Sequence, residues 1–204
     1  MSDRTTGVLG RAEILNYLSR PTLAERLVVT PLLDPTKAIG PASVDVRLGN
    51  QFIIMKREAF HELDVKGDPA ALKANLGRYQ ERIVKHYDDS VVIHPRQLVI
   101  GSTFEYVQLP PRLMCYVIGK SSWGRMGLII ATATKVDPGF RGCITLEIVN
   151  EGEIPLVLYP GLEIAQLVFH TTSSDDVYTG RYTCPIGPQF PTFDPDEAWE
   201  QKRE

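Results

Sequence analysis

The segment Gly119-Lys120-Ser121-Ser122-Trp123-Gly124-Arg125 gathers the donors that an anionic ligand requires. A strand-like run ends at Ile118, a glycine follows, and then come a cation, two hydroxyls and a second cation. Glycine lets a ligand approach the backbone closely. Backbone N–H groups at a turn or helix start can cradle anionic oxygens, and Lys and Arg add charge-assisted donors. This is the chemistry of a phosphate cradle, although the residue order is not that of a P-loop. A solvated turn with a helix cap accounts for the same residue types.

A second cluster begins with the turn residues Asp137-Pro138-Gly139 and continues into Cys143-Ile144-Thr145-Leu146-Glu147-Ile148-Val149-Asn150. Asp-Pro-Gly is turn chemistry, and the run after it reads as a strand. Alternation puts Glu147 on one face with Thr145 and Val149, between Leu146 and Ile148. A carboxylate in so apolar a strand is unusual, because Glu is rarely buried unpaired. It is a general base in a pocket, where partial burial raises its pKa toward working pH, or it lies on a face open to solvent, or it is one half of an ion pair with Arg125 or Arg141. His61, His86, His94 and His170 have no metal-ligand spacing. Neither the zinc nucleobase deaminase signature nor G-x-S-x-G is present.

The elements that must position these groups are mostly strands. Residues 10–27 read as a helix, with Ile14, Leu15 and Leu18 at helical spacing before Pro21. Residues 28–42 read as a loop, and 43–54 as one strand. Residues 55–90 form a polar excursion with a helix over Ala70–Gln80. From Val91 the chain becomes a series of short strands: Val91–His94, Gln97–Thr103, Tyr116–Ile118, Leu128–Ala133, Cys143–Val149, Leu156–Leu158 and Ile164–His170. Such a series with Gly or Pro between the runs points to a mostly β barrel or sandwich. The segment from Gly180 is rich in Pro, Gly and aromatics, then charged, and reads as a flexible end or an arm over a ligand or a neighbouring subunit.

Composition narrows the partners. The 204 residues are 43% hydrophobic and 23% charged, with a net charge of −3. No basic block suggests a DNA or RNA polymer as partner, and no apolar run is long enough to span a membrane. The N-terminus lacks the apolar stretch of a secretory signal. Cys115, Cys143 and Cys184 are too widely spaced for a zinc knuckle, and their odd number does not suggest a disulfide framework. These features lead to the expectation of a cytoplasmic protein whose thiols stay reduced.

Five blocks, in order, resemble the dCTP deaminase family. GKSSWGRMGL (119–128) is similar to the family signature G-[RK]-S-S-x-x-R-x-G-L. SVDVRLGN (43–50) resembles its early strand motif, and HPRQLVIGSTFE (94–105) its middle segment. ATATKVDPGFRGCITLEIVN (131–150) resembles its core motif, and PLVLYPGLEIAQL (155–167) the hairpin that follows. The resemblance covers roughly residues 11–190.

It implies a distorted dUTPase-like β barrel over residues 1–180, with a short N-terminal helix, and a C-terminal tail over 181–204. It also implies a homotrimer with active sites between subunits. The implied reaction is hydrolysis of dCTP to dUTP and ammonia without zinc, with magnesium arriving on the triphosphate. Glu147 matches the glutamate that activates water for attack on C4 of the cytosine. Ser121 and the carbonyl of Ala133 match groups that hold the water and the amino group, and Arg125 matches the arginine that stabilises developing charge. Lys120, Ser121 and Ser122 match triphosphate contacts, and Asp137 the aspartate near the deoxyribose. Thr145 and Leu146 fall where backbone groups read the base edge, while Gln166 and Tyr178 match further nucleotide contacts. Arg181 stands for the tail lysine of K-Y-x-x-Q, and Pro185 replaces its glutamine, removing a side-chain donor. Two other readings stay open: an enzyme that also, or only, splits dUTP to dUMP and pyrophosphate with Asp137 activating the water, and a non-catalytic nucleotide-binding homologue.

Overall fold

Local chemistry sets the helices. The computed structural model describes residues 7–56, 68–131, 135–180 and 184–191. Helix α1 spans Arg11–Ser19 and presents Ile14 to the core. It ends earlier than the expected 10–27 because Pro21 excludes helical geometry at Arg20, which adopts ψ 137° instead. Helices α2 (Pro35–Ala38) and α3 (Pro69–Tyr79) each begin with an Asp-Pro pair. Asp34 Oδ1 accepts from Thr36 N at 3.1 Å, and Asp68 Oδ2 from Ala71 N at 3.0 Å. Each aspartate thus satisfies a donor that the helix start leaves open, while proline fits the first helical position. Helix α4 (Ser121–Gly124) is a single turn.

The remaining ordered elements are strands: β1 (Val28–Thr30), β2 (Val44–Arg47), β3 (Gln51–Met55), β4 (Gln80–Val84), β5 (Val91–Ile93), β6 (Leu98–Gln108), β7 (Leu113–Gly119), β8 (Leu128–Ile130), β9 (Lys135–Val136), β10 (Arg141–Asn150), β11 (Leu156–Leu158) and β12 (Glu163–Thr171). They form a six-stranded sheet in the order β4-β3-β6-β10-β8 with β1 also on β6, a four-stranded sheet β2-β12-β7-β9, and a β11-β5 pair. The mostly β expectation therefore holds, but the described residues do not close into a barrel. The ladders end at β4 and β8 in one sheet and at β2 and β9 in the other.

The expected single strand over 43–54 is two strands, because the chain changes sheets between them. Leu48 N bonds Leu162 O at 2.8 Å, whereas Gly49 N bonds Ser102 O in the other sheet, also at 2.8 Å. The expected loop over 28–42 contains β1 and α2.

The two larger sheets enclose one apolar core, to which β10 contributes Ile144, Leu146 and Ile148, and β12 contributes Leu167 and Phe169. The β6–β10 ladder slips between Cys143 and Thr145, where β6 carries extra residues. Thr103 fills the gap in hydrogen bonding: its Oγ1 accepts from Ile144 N at 2.9 Å and donates to Glu105 O at 2.7 Å. This bulge fixes the register of the rest of β10. Glu105, buried behind it, accepts from Arg47 N at 2.8 Å and from Arg47 Nε at 2.6 Å. Burial pushes the Glu105 carboxyl above its usual range, and the bonds from Arg47 offset only part of that.

Residues 184–191 lie across β10 and β4. Pro185 O accepts from Cys143 N at 2.7 Å, and Thr145 Oγ1 accepts from Gln189 N at 3.3 Å. Pro188 O accepts from Arg82 Nη2 at 2.8 Å, and the same guanidinium stands 5.0 Å from the Phe190 ring. The path depends on Gly142: its φ is +141°, and a Cβ there would lie 2.4 Å from Pro185 Cδ.

Two variants test these supports. Arg47→Met leaves Glu105 buried without its cation and should lower the unfolding free energy by about 3 kcal/mol. Denaturant titration should show a smaller loss for Glu105→Gln, which removes the charge itself. The Arg47→Met loss should shrink as pH falls and Glu105 takes up a proton. Equal losses in both variants at all pH values would contradict a stabilising role for this ion pair. Gly142→Ala should speed hydrogen exchange at the Cys143 amide by roughly tenfold or more, and unchanged exchange would show that the 184–191 segment does not depend on this contact.

Candidate active site

Strand β10 pairs with β6 on one side and β8 on the other. Its burial alternates along its length, with Ile144, Leu146 and Ile148 inward and Cys143, Thr145, Glu147 and Val149 half-buried on the opposite face. Glu147 therefore stands on the open face of an interior strand, directly across from Ile100. Its backbone carbonyl is fixed by Ala131 N at 2.8 Å.

This face forms one wall of a cavity of about 410 Å³. Ile100, Val136 and Phe140 supply apolar lining; Asp137, Thr145, Glu147, Tyr178 and Gln189 supply the polar groups. A volume of this size accommodates a small organic ligand.

Asp137 reaches the cavity through the turn that precedes β10. Gly139, at φ +82°, donates to Leu109 O at 3.0 Å, and Phe140 N donates to Asp137 O at 3.2 Å. The Asp137 carboxylate pairs with Lys135 Nζ at 2.7 Å, a hydrogen bond that holds the lysine above its usual range. Tyr178 N bonds Pro138 O at 2.7 Å, bringing the tyrosine beside the same turn. Burial pushes the Cys143 thiol up, so this cavity-lining sulfur is held as the neutral thiol.

The second group of predicted residues lies elsewhere in the protomer. Strand β7 ends at Gly119, opposite Ala165 of β12, and leads into Lys120 and α4. Ser121, Ser122 and Arg125 are all exposed there. Gly127, at φ +89°, lets this segment pack against Gly152, where a Cβ would meet the Gly152 nitrogen at 2.4 Å. Lys120 Nζ lies 2.6 Å from both Asp45 Oδ2 and Glu163 Oε2, and Asp45 Oδ1 accepts from Gln166 Nε2 at 2.7 Å. Asp45 and Glu163 line a smaller cleft of about 130 Å³ that also includes Arg47 and Glu105.

One protomer thus brings together Asp137, Thr145, Glu147 and Tyr178, with the Leu146 side chain in the core behind them. It does not bring Lys120, Ser121, Ser122, Arg125 or Gln166 to the same cavity. The two groups ride on different sheets. Ala133 and Arg181 lie outside the described residues. Sequence reasoning did not single out Asp45, Glu163 or Gln189. An acidic residue in the alternating run 43–54 was the available signal for Asp45, whereas nothing in the local pattern distinguishes Gln189. Among the described residues no three His, Cys, Asp or Glu side chains cluster closely enough to hold a metal ion.

A family model described as dCTP deaminase-like matches residues 8–172. The protein named "dCTP deaminase, dUMP-forming" from Dictyoglomus turgidum is 40% identical over 169 residues, covering 82% of this chain and 81% of its own. A protein of the same name from Sulfurihydrogenibium sp. is 40% identical over 179 residues, covering 86% and 91%. The solved structure of 2'-deoxycytidine 5'-triphosphate deaminase from Agrobacterium tumefaciens shares the fold, with a TM-score of 0.60 at 24% identity. It covers 83% of this chain, which spans about half, 49%, of that longer one. The protein belongs to the dCTP deaminase-like family.

Proposed function

We propose that this protein hydrolyses dCTP, bound as its magnesium complex, first at C4 of the base and then at the α-phosphate, giving ammonia, pyrophosphate and dUMP. The observation that carries this reading is that Glu147 and Asp137, two carboxylates on separate elements, line one cavity. Each could activate one water. The names of relatives at about 40% identity favour dUMP over release of dUTP.

In the first step Glu147 takes a proton from water, and the hydroxide adds to C4. The proton passes to the 4-amino group, which leaves as ammonia, so that dCTP and one water become dUTP and ammonia. A general base of this kind contributes about 10²–10⁴-fold, and no zinc is needed to make the nucleophile. Thr145 and the backbone at Leu146 would meet the base edge, and Tyr178 the sugar side. In the second step Asp137 directs another water at the α-phosphorus, and pyrophosphate leaves with its magnesium.

Ser121, Arg125 and the Ala133 carbonyl complete the first step, and Lys120, Ser121, Ser122, Gln166 and Arg181 the triphosphate contacts. Since Lys120, Ser121, Ser122, Arg125 and Gln166 do not line the cavity of their own protomer, a second copy would supply these five, as in a homotrimer with sites at its interfaces. Arg125 would then stabilise charge that develops as the hydroxide adds.

Glu147→Gln should reduce ammonia release by at least about 10²-fold while dCTP still binds, measured by a coupled ammonia assay and by calorimetry. Asp137→Asn should release ammonia but accumulate dUTP, resolved from dUMP by chromatography. Ammonia released by Glu147→Gln at the wild-type rate would remove its assigned role. A wild-type enzyme that stops at dUTP would leave only the first step standing.

A further inference from the structure

Lys120 is held by two carboxylates of unequal freedom. The Asp45 side chain is only 16% exposed, and both its oxygens are engaged, one by Lys120 Nζ at 2.6 Å and the other by Gln166 Nε2 at 2.7 Å. Asp45 and Gln166 are also direct partners in the β2–β12 ladder, which fixes their separation. Glu163 differs: its side chain is 49% exposed, and it reaches Lys120 at 2.6 Å through Oε2. Its backbone is pinned by Trp123 Nε1, which donates to Glu163 O at 2.7 Å.

Two carboxylates around one ammonium leave a net charge of −1 where an anion would have to come. Burial alone would lower the Lys120 ammonium, but the hydrogen bonds to Asp45 and Glu163 hold it above the usual lysine range. The cation is therefore charged but occupied. The neighbouring Arg47–Glu105 pair is likewise satisfied and adds no net positive charge to the cleft. An arriving polyphosphate can take over the exposed carboxylate's place with little rearrangement, because the Glu163 side chain has solvent to move into. Asp45 cannot leave without releasing Gln166 as well.

We propose that Glu163 is an internal competitor for Lys120, displaced when the triphosphate binds, and that Asp45 is the positioning residue that keeps Lys120 and Gln166 in place throughout. Glu163 then sets how tightly the nucleotide is held, and Asp45 sets whether its contacts are formed at all. This inference rests on the proposed reading of Lys120 as a triphosphate contact.

The test is calorimetric binding of dCTP and of inorganic tripolyphosphate to the full chain, each with magnesium, in wild type, Glu163→Gln and Asp45→Asn, at low and high salt. Glu163→Gln should tighten both ligands by roughly three- to tenfold, less at high salt. A merely structural role for Glu163 would instead weaken binding. Asp45→Asn should weaken both by roughly tenfold or more. Unchanged or weaker binding by Glu163→Gln, with wild type binding dCTP, would overturn this inference and leave the proposed function intact. Failure of the wild type to bind dCTP would overturn both.

Discussion

The alternation of strand β10 is the constraint on which the site depends. A strand places successive side chains on opposite faces, so burying Ile144, Leu146 and Ile148 obliges Thr145 and Glu147 to face the other way. The core residues are therefore what aim the carboxylate. A shift of one residue would drive Glu147 into the core and Leu146 into the cavity. The register is held by the β6 bulge, where the Thr103 hydroxyl satisfies Ile144 N, and by pairing with β8 beyond. Burial of each inward side chain contributes about 1.5–3 kcal/mol, and the opposite register would give this up while driving a carboxylate into the core.

The cleft around Asp45 follows a different logic. Its charged groups include one pair, Arg47 with Glu105, and one triad, Lys120 with Asp45 and Glu163. The first is buried and structural, since removing Arg47 leaves the Glu105 charge buried without compensation. The second is open to solvent mainly through Glu163 and links three elements, β2, α4 through Lys120, and the start of β12. Polar side chains that fix one another in this way keep the GKSSWGR turn in one geometry without a large apolar contact.

Much of this was legible in the sequence, and the reasons for the rest are physical. The run Cys143–Val149 has a strict period of two, so the strand and the face of Glu147 could be read directly, and Asp-Pro-Gly marked the turn that carries Asp137. The helix expected over Ala70–Gln80 is α3 within one residue at each end. The split of 43–54 could not be read, because an apolar-polar alternation does not record which sheet each half joins. Strand β6 runs on through Phe104–Gln108, past the expected end at Thr103, because Glu105 is buried against an arginine that is distant in sequence. The course of 184–191 rests on single hydrogen bonds to Cys143, Thr145 and Arg82, which leave no periodic trace. The separation of Ser121 and Arg125 from Glu147 is likewise a matter of sheet topology.

That separation bears on the central claim, that the cavity around Glu147 is one half of a site completed by the α4 segment of a second copy. The direct test is subunit complementation. Glu147→Gln and Ser121→Ala, each inactive alone, are unfolded, mixed in equal amounts and refolded together, and ammonia release from dCTP is measured. If sites form between copies, some interfaces pair an intact Glu147 with an intact Ser121, and activity should return to about a quarter of the wild-type level. If every site is built within one chain, the mixture should remain as inactive as its components, which would contradict a site shared between copies.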